Sequence, residues 1–294
     1  SRFAIFHQRY STNTFPSWDL AQPFRVLAHN GEINTLKGNI NWMKVHEQEM
    51  NSELFKGMEE DLKPVISSGN SDSAALDNVF ELLNRSGQSA PLAKLMLIPD
   101  AWSKKSKILP RDHQQLFNFL NSTMEPWDGP AAIAATDNEW AIVATDRNGL
   151  RPLRYTVTKD NLLFAGSETG MINLNEEKIV SKGRLGPGDI LGVRIEKGKV
   201  YTNKQILKTS IEFNLSQSSN SPSDFQEQMN RLSSQKNFYG VLASLELIKI
   251  KLYNGDINSS YDDYLKLLNQ KNINNFGSVK SIIKELKILI KKRH

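Results

Sequence analysis

Between residues 131 and 165 the chain carries four short apolar runs, at 131–136, 140–145, 153–157 and 162–165, separated by turn residues. The separators are Asp137-Asn138, Asp146-Arg147-Asn148-Gly149 and Lys159-Asp160-Asn161. Strands joined by so few residues are restricted to antiparallel neighbours. Two further runs follow: 190–195 after Gly186-Pro187-Gly188-Asp189, and 200–202 after Lys197-Gly198-Lys199. Upstream the pattern is mostly helical. Leu36, Ile40 and Met43 fall on one side of a helix running from Asn34 to about Met50. Ser71-Asp72-Ser73 stands ahead of Ala74, Ala75, Leu76, Val79, Phe80, Leu82 and Leu83, a helix with its N-cap in place. Residues 112–120 read as another helix, and 3–10 and 24–28 as two early strands, the second stopped by the turn dipeptide Asn30-Gly31. Helices followed by an antiparallel meander make an α+β fold.

The character changes near residue 215. All five Trp precede residue 150, and ten of the eleven Pro precede residue 215. Residues 215–294 hold 12 Lys/Arg and 7 Asp/Glu, the whole net charge of +5, which leaves residues 1–214 neutral. A neutral body argues against a nucleic-acid surface, which needs clustered cations. The polar stretch 215–223 reads as a linker, giving a body over 1–214 and a helical tail over 224–294. In the tail, Val241, Leu242, Leu245 and Ile248 recur at helical spacing, and so do Ile282, Ile283, Leu286, Leu289 and Ile290. No stretch approaches the roughly 18 apolar residues of a membrane span. The chain does not begin with Met, and Ser1-Arg2-Phe3-Ala4-Ile5-Phe6-His7 is neither a secretory signal nor a transit peptide. The reading therefore expects a segment that starts inside a longer gene product.

The 294 residues include no Cys, which excludes disulfides, zinc–thiolate and iron–sulfur sites, and any cysteine nucleophile within them. His7, His29, His46 and His113 have no metal-ligand spacing and read as structural. Three patterns carry candidate chemistry. Asn30-Gly31 can aim a side-chain amide and a backbone N–H at one point, an oxyanion hole, although an isolated Asn-Gly is more often a plain turn. Arg9, leading into Ser11, Thr12 and Thr14, is either a bidentate carboxylate clamp or a surface arginine. Asp72, at the mouth of a helix, either receives a ligand's ammonium or shares the capping with Ser71. An ammonium acceptor, a carboxylate clamp and an oxyanion hole together suit a free amino acid undergoing acyl transfer. The loop 146–152 either lines a site or only fixes its own turn.

Longer runs resemble a known family. They are 6–14 (Phe-His-Gln-Arg-Tyr-Ser-Thr-Asn-Thr), 20–25, 29–36 with 38–43, 71–73 with 76–78, 124–132 and 146–152. Together they resemble the class II, N-terminal-nucleophile glutamine amidotransferase domain of glutamate synthase, over roughly residues 1 to 208. The resemblance implies a four-layer α-β-β-α sandwich and glutamine hydrolysis by an N-terminal Cys whose α-amino group is the base. It implies that Arg9 and Thr12 hold the glutamine carboxylate, that Asn30 and Gly31 form the oxyanion hole, and that Asp72 binds the ammonium. Ammonia then passes to synthase domains, where FMN and an iron–sulfur cluster support reductive formation of glutamate; this chain is expected to hold no cofactor. The catalytic Cys and the first strands of the sandwich are expected to lie ahead of this segment. That would leave the chain inactive alone, a partial sandwich whose exposed edges invite self-association. Two alternatives stay open: a non-catalytic remnant that binds a ligand or partner, and a fragment of another class II amidotransferase. A cytoplasmic protein, or a plastid one in a eukaryote, goes with the resemblance, while the electron donor, ferredoxin or pyridine nucleotide, is not legible.

Overall fold

A computed structural model describes residues 2–11, 14–50, 55–101, 110–168, 170–218, 233, 238–253, 255–269, 283, 286–287 and 290. The chain divides into two units, Ser1–Ile211 and Glu212–His294.

The first unit is built on an antiparallel sheet of five strands in the order β1 (Leu27–Gly31), β2 (Ala131–Thr136), β3 (Trp140–Thr145), β7 (Ile190–Arg194) and β8 (Lys199–Tyr201). A second antiparallel sheet has the order β5 (Leu163–Gly166), β4 (Arg154–Thr158) and β6 (Ile179–Arg184). Strand alternation sends one set of side chains to each face. Leu27, Ile133, Ala135, Ile142, Ala144 and Ile190 meet the helices in the main core. Ala132, Val143, Leu191 and Val200 instead pack with Leu153, Tyr155, Leu163 and Leu185, the layer between the two sheets. The helices are α1 (Leu36–Glu49), α2 (Asp72–Arg85), α3 (Ala90–Leu97) and α4 (Arg111–Thr123), followed by α5 (Asn203–Ser218). One helical layer and two sheet layers of the expected sandwich are thus present.

Several expectations need correcting. No strand forms over 3–10; that segment contributes only the isolated bridge from Tyr10 to Ala21. In the other expected early strand, and just beyond it, side chains already take the outward donors. Arg25, Val26 and Leu27 N–H all donate to the Asp77 carboxylate, at 3.2, 3.0 and 3.0 Å, and His29 N–H donates to Gln22 Oε1 at 2.7 Å. The early strand itself lies three residues later than expected, at Leu27–Gly31, because Asn30 and Gly31 pair with Ala132 and Ala131 inside the ladder. They are strand residues and not a turn. The apolar runs do not make one meander: the 146–152 loop carries the chain from β3 to the second sheet. Residues 215–218 of the expected linker form the last turn of α5, and 219–223 lie outside the described residues.

The second unit contains α6 (Phe238–Tyr253) and α7 (Ile257–Leu268). Asp256 caps α7 by accepting from Ser259 N–H. Leu245, Ile248 and Leu252 of α6 pack with Tyr264, Leu267, Ile283, Leu286 and Ile290. Of the expected C-terminal apolar stripe, Ile283, Leu286 and Ile290 join this core, while Ile282 and Leu289 lie outside the described residues. No described helix is long and apolar enough to cross a membrane.

Candidate active site

The site grows from the free edge of β1. In an antiparallel ladder the N–H groups of alternate residues point to the same side. Thr136 N–H donates to Val26 O at 2.9 Å, and Glu32 N–H to Pro130 O at 2.9 Å, so even-numbered residues face β2. The odd-numbered donors therefore face outward. Leu27 N–H goes to Asp77 Oδ1 at 3.0 Å, His29 N–H to Gln22 Oε1 at 2.7 Å and Ile33 N–H to Asp72 Oδ2 at 2.7 Å. Gly31 N–H, between the last two, has no hydrogen-bond partner among the described residues.

Close approach explains the glycine. A Cβ on Gly31 would stand 1.8 Å from Pro130 O, and one on Gly129 would stand 1.9 Å from Glu32 O. The two glycines let the 128–131 strap lie against the end of β1, where Asn34 N–H also donates to Asp128 O at 2.8 Å. Thr35 Oγ1 accepts from Asp128 N–H at 3.0 Å, and Arg147 pairs with the Asp128 carboxylate.

Asp72 reaches this edge because Ser71 caps α2, its side chain accepting from Ala74 N–H at 3.1 Å. That leaves the Asp72 carboxylate in the first helical turn, buried beside Ile33. His29 points to the helical side of the sheet, where Nδ1 lies 2.7 Å from Ser73 Oγ. Its Nε2 is buried, with no hydrogen bond of normal geometry among the described residues. Burial pushes the His29 imidazole below its ordinary range; the Asp72 charge and the Pro130 carbonyl oppose this, and His7 and Arg151 add to it. On the opposite face, Asn30 Oδ1 accepts from Arg151 Nη2 at 2.5 Å.

Asn30, Gly31 and Asp72 are therefore brought together. Arg9 is not joined to them: it is exposed, and no hydrogen bond or ion pair links its guanidinium to the cluster among the described residues. It stands in a segment tied to the cluster indirectly. Ser11 N–H donates to Leu20 O at 3.1 Å, and Gln22, just beyond, holds the His29 backbone. Thr12 lies outside the described residues. Sequence reasoning read His29 as structural, and for the loop 146–152 that holds Arg151 it left open whether the loop lines a site or only fixes its turn. The structure shows why Arg151 turns to Asn30: Asp146, the nearest acid in its loop, is buried among four backbone N–H groups, and the arginine finds its acceptor elsewhere. Among the described residues no group of three or more His, Asp or Glu could hold a metal ion.

A carboxylate, an unclaimed backbone N–H and an asparagine amide at one strand end can hold an amino acid and receive a developing oxyanion. The family signature for class-II glutamine amidotransferases covers residues 1–215. The chain belongs to that family. Its relatives include the NADPH glutamate synthase large chain of Azospirillum brasilense, 56% identical over 206 residues, which are 70% of this chain and 14% of the relative. The ferredoxin-dependent glutamate synthase 2 of Arabidopsis thaliana is 43% identical over 73% of this chain and 13% of its own length. The NADH glutamate synthase of Saccharomyces cerevisiae is 47% identical over 70% and 10%. This amidotransferase-family chain thus spans between a tenth and a seventh of these relatives.

Proposed function

We propose that this chain is the glutamine-holding part of the ammonia-donating domain of a glutamate synthase. The observation that carries the proposal is the β1 edge, where among the described residues Gly31 N–H alone of four outward donors is unclaimed, between His29 and the Asp72-bound Ile33. In this reading Asp72 receives the glutamine ammonium, and Arg9 with Thr12 holds the α-carboxylate. A cysteine thiolate from outside these 294 residues adds to the side-chain amide carbon. The carbonyl oxygen, now an oxyanion, accepts from Gly31 N–H and Asn30 Nδ2. The thiol proton, taken up by the cysteine's α-amino group, passes to the amide nitrogen as the C–N bond breaks; ammonia leaves for the synthase domains, and water releases glutamate from the thioester. FMN and the iron–sulfur cluster belong to those synthase domains, this chain holding no cofactor, and the setting is the cytoplasm or a plastid.

Calorimetry with L-glutamine tests the proposal. Binding is expected for the purified chain, with affinity reduced at least tenfold by Asp72→Asn. Arg9→Ala should cost about 1.5–3 kcal/mol, the range for hydrogen bonds to charged groups. No ammonia release is expected from this chain alone, because its sequence has no thiol. Unchanged affinity in Asp72→Asn would remove the ammonium assignment. A binding module with no chemistry of its own is the second reading, which the missing thiol favours; it falls if adding a Cys-initiated N-terminal segment restores turnover.

A further inference from the structure

The residue that decides how Asn30 can act is Arg151, in the loop 146–152. Its backbone is fixed first. Asp146 is almost fully buried, and its carboxylate accepts from Ala131 N–H at 3.0 Å, Asn148 N–H at 3.0 Å, Leu150 N–H at 3.1 Å and Arg151 N–H at 3.2 Å. The loop therefore delivers Arg151 to one place at the start of the second sheet. From there Nη2 donates to Asn30 Oδ1 at 2.5 Å. The guanidinium Nε is buried with no hydrogen-bond partner, so nothing at that atom competes for the arginine among the described residues.

The chemistry of the two groups then fixes a direction. A guanidinium has five N–H donors and no acceptor, and a carboxamide has an oxygen on one arm and NH2 on the other. The arm that meets Arg151 has to be the oxygen. The NH2 arm is left pointing away from Arg151, and rotation by half a turn would set donor against donor. A neighbour that can only donate therefore determines which arm of Asn30 remains for a ligand. An asparagine without that neighbour would present either arm.

We infer that Arg151 is a positioning residue that locks the Asn30 carboxamide with Nδ2 outward, as the donor toward the side-chain carbonyl or oxyanion of bound glutamine. The ligand in this statement rests on the proposed function above; the amide orientation does not.

The test uses the full chain with asparagine side chains labelled with nitrogen-15, the Asn30 NH2 pair being the one lost in Asn30→Asp. The pair is expected to move in Arg151→Met, which has no donor, and to return toward its wild-type position in Arg151→Lys, which can only donate. In Arg151→Glu, an acceptor, the amide should turn over and L-glutamine affinity should fall at least tenfold, whereas Arg151→Lys should stay within threefold. An Asn30 pair unmoved in both Arg151→Met and Arg151→Glu overturns the inference, whatever the glutamine affinity. A pair that follows the donor–acceptor series in a chain that never binds glutamine supports the positioning role and removes the ligand reading instead.

Discussion

The His29 imidazole sits out of water next to Asn30 and Gly31 on the same strand. Burial lowers its proton affinity; the Asp72 carboxylate and the Pro130 carbonyl push the other way, while His7 and Arg151 reinforce the burial. The sign of the consequence follows from linkage. Between the lowered folded value and the ordinary 6.5, the unfolded chain binds the proton that the folded chain refuses. Stability is therefore full above about pH 6.5 and is lost as the pH falls below it. Asp77 works in the opposite direction: burial raises its carboxyl above 3.8, so the folded state holds the extra proton there and loses stability as the pH rises through that window. Comparison with His29→Gln cancels the Asp77 contribution. Urea midpoints at pH 7.5 and 5.5 are expected to fall further for the wild type than for His29→Gln. Equal drops in the two proteins would show that His29 does not hold back its proton.

At the scale of elements, α3 ties the helical layer to the loops behind the site. Lys94 is fully buried in it, and its Nζ donates to Gly188 O at 2.8 Å. Gly188 N–H in turn donates to Asp146 O at 2.8 Å, in the loop that carries Arg151. Burial brings the Lys94 ammonium down to about 8, against the charges of Asp100, Asp189 and Asp146, which favour it. Removing the lysine leaves the buried Gly188 carbonyl without its donor, at about 1–3 kcal/mol. Lys94→Met is expected to lose that much in urea unfolding at pH 7, even though Met matches the shape. A stability equal to wild type would mean that the Gly188 carbonyl does not depend on this donor. The same helix shows what the sequence hid. Ala90–Leu97 is buried along its whole length, so it has no apolar–polar period to read. β6, Ile179–Arg184, is polar and largely exposed, and was hidden for the converse reason. Where a short apolar run was bounded by turn residues or a helix by its cap, the pattern was plain: β2 and β3 match their apolar runs end to end, and α2 begins after the expected Ser71 cap. Asn30, Gly31 and Asp72 were readable as a donor set with an acceptor. Their setting was not, because side chains from other positions, Asp77 fifty residues away and Gln22 seven, occupy the outer edge of β1. The same capping closes much of an edge that would otherwise be open to another chain.

Taken as a whole molecule, the chain has two separate sources of stability. The unit Ser1–Ile211 has the large core between helices and sheet and a smaller one between the sheets. The unit Glu212–His294 has a single described cluster around Leu245, Ile248, Leu252, Tyr264 and Leu267. Fewer buried side chains stabilise less, since each fully buried Leu or Ile contributes only about 1.5–3 kcal/mol. Units with separate cores need not melt as one. The sequence supplies a reporter that separates them, because all five Trp lie before residue 150. Tryptophan fluorescence therefore reports the first unit alone, whereas far-ultraviolet circular dichroism also registers the helices of the second. On heating, dichroism is expected to show an early loss of helix that fluorescence does not follow, with glutamine affinity retained through that first step. Added L-glutamine should then raise the later, fluorescence-detected midpoint and leave the early one in place, as mass action requires when only one unit binds. Coincident transitions in both signals, moved together by glutamine, would show that the tail unfolds with the amidotransferase unit and that the division at residue 211 has no thermodynamic meaning.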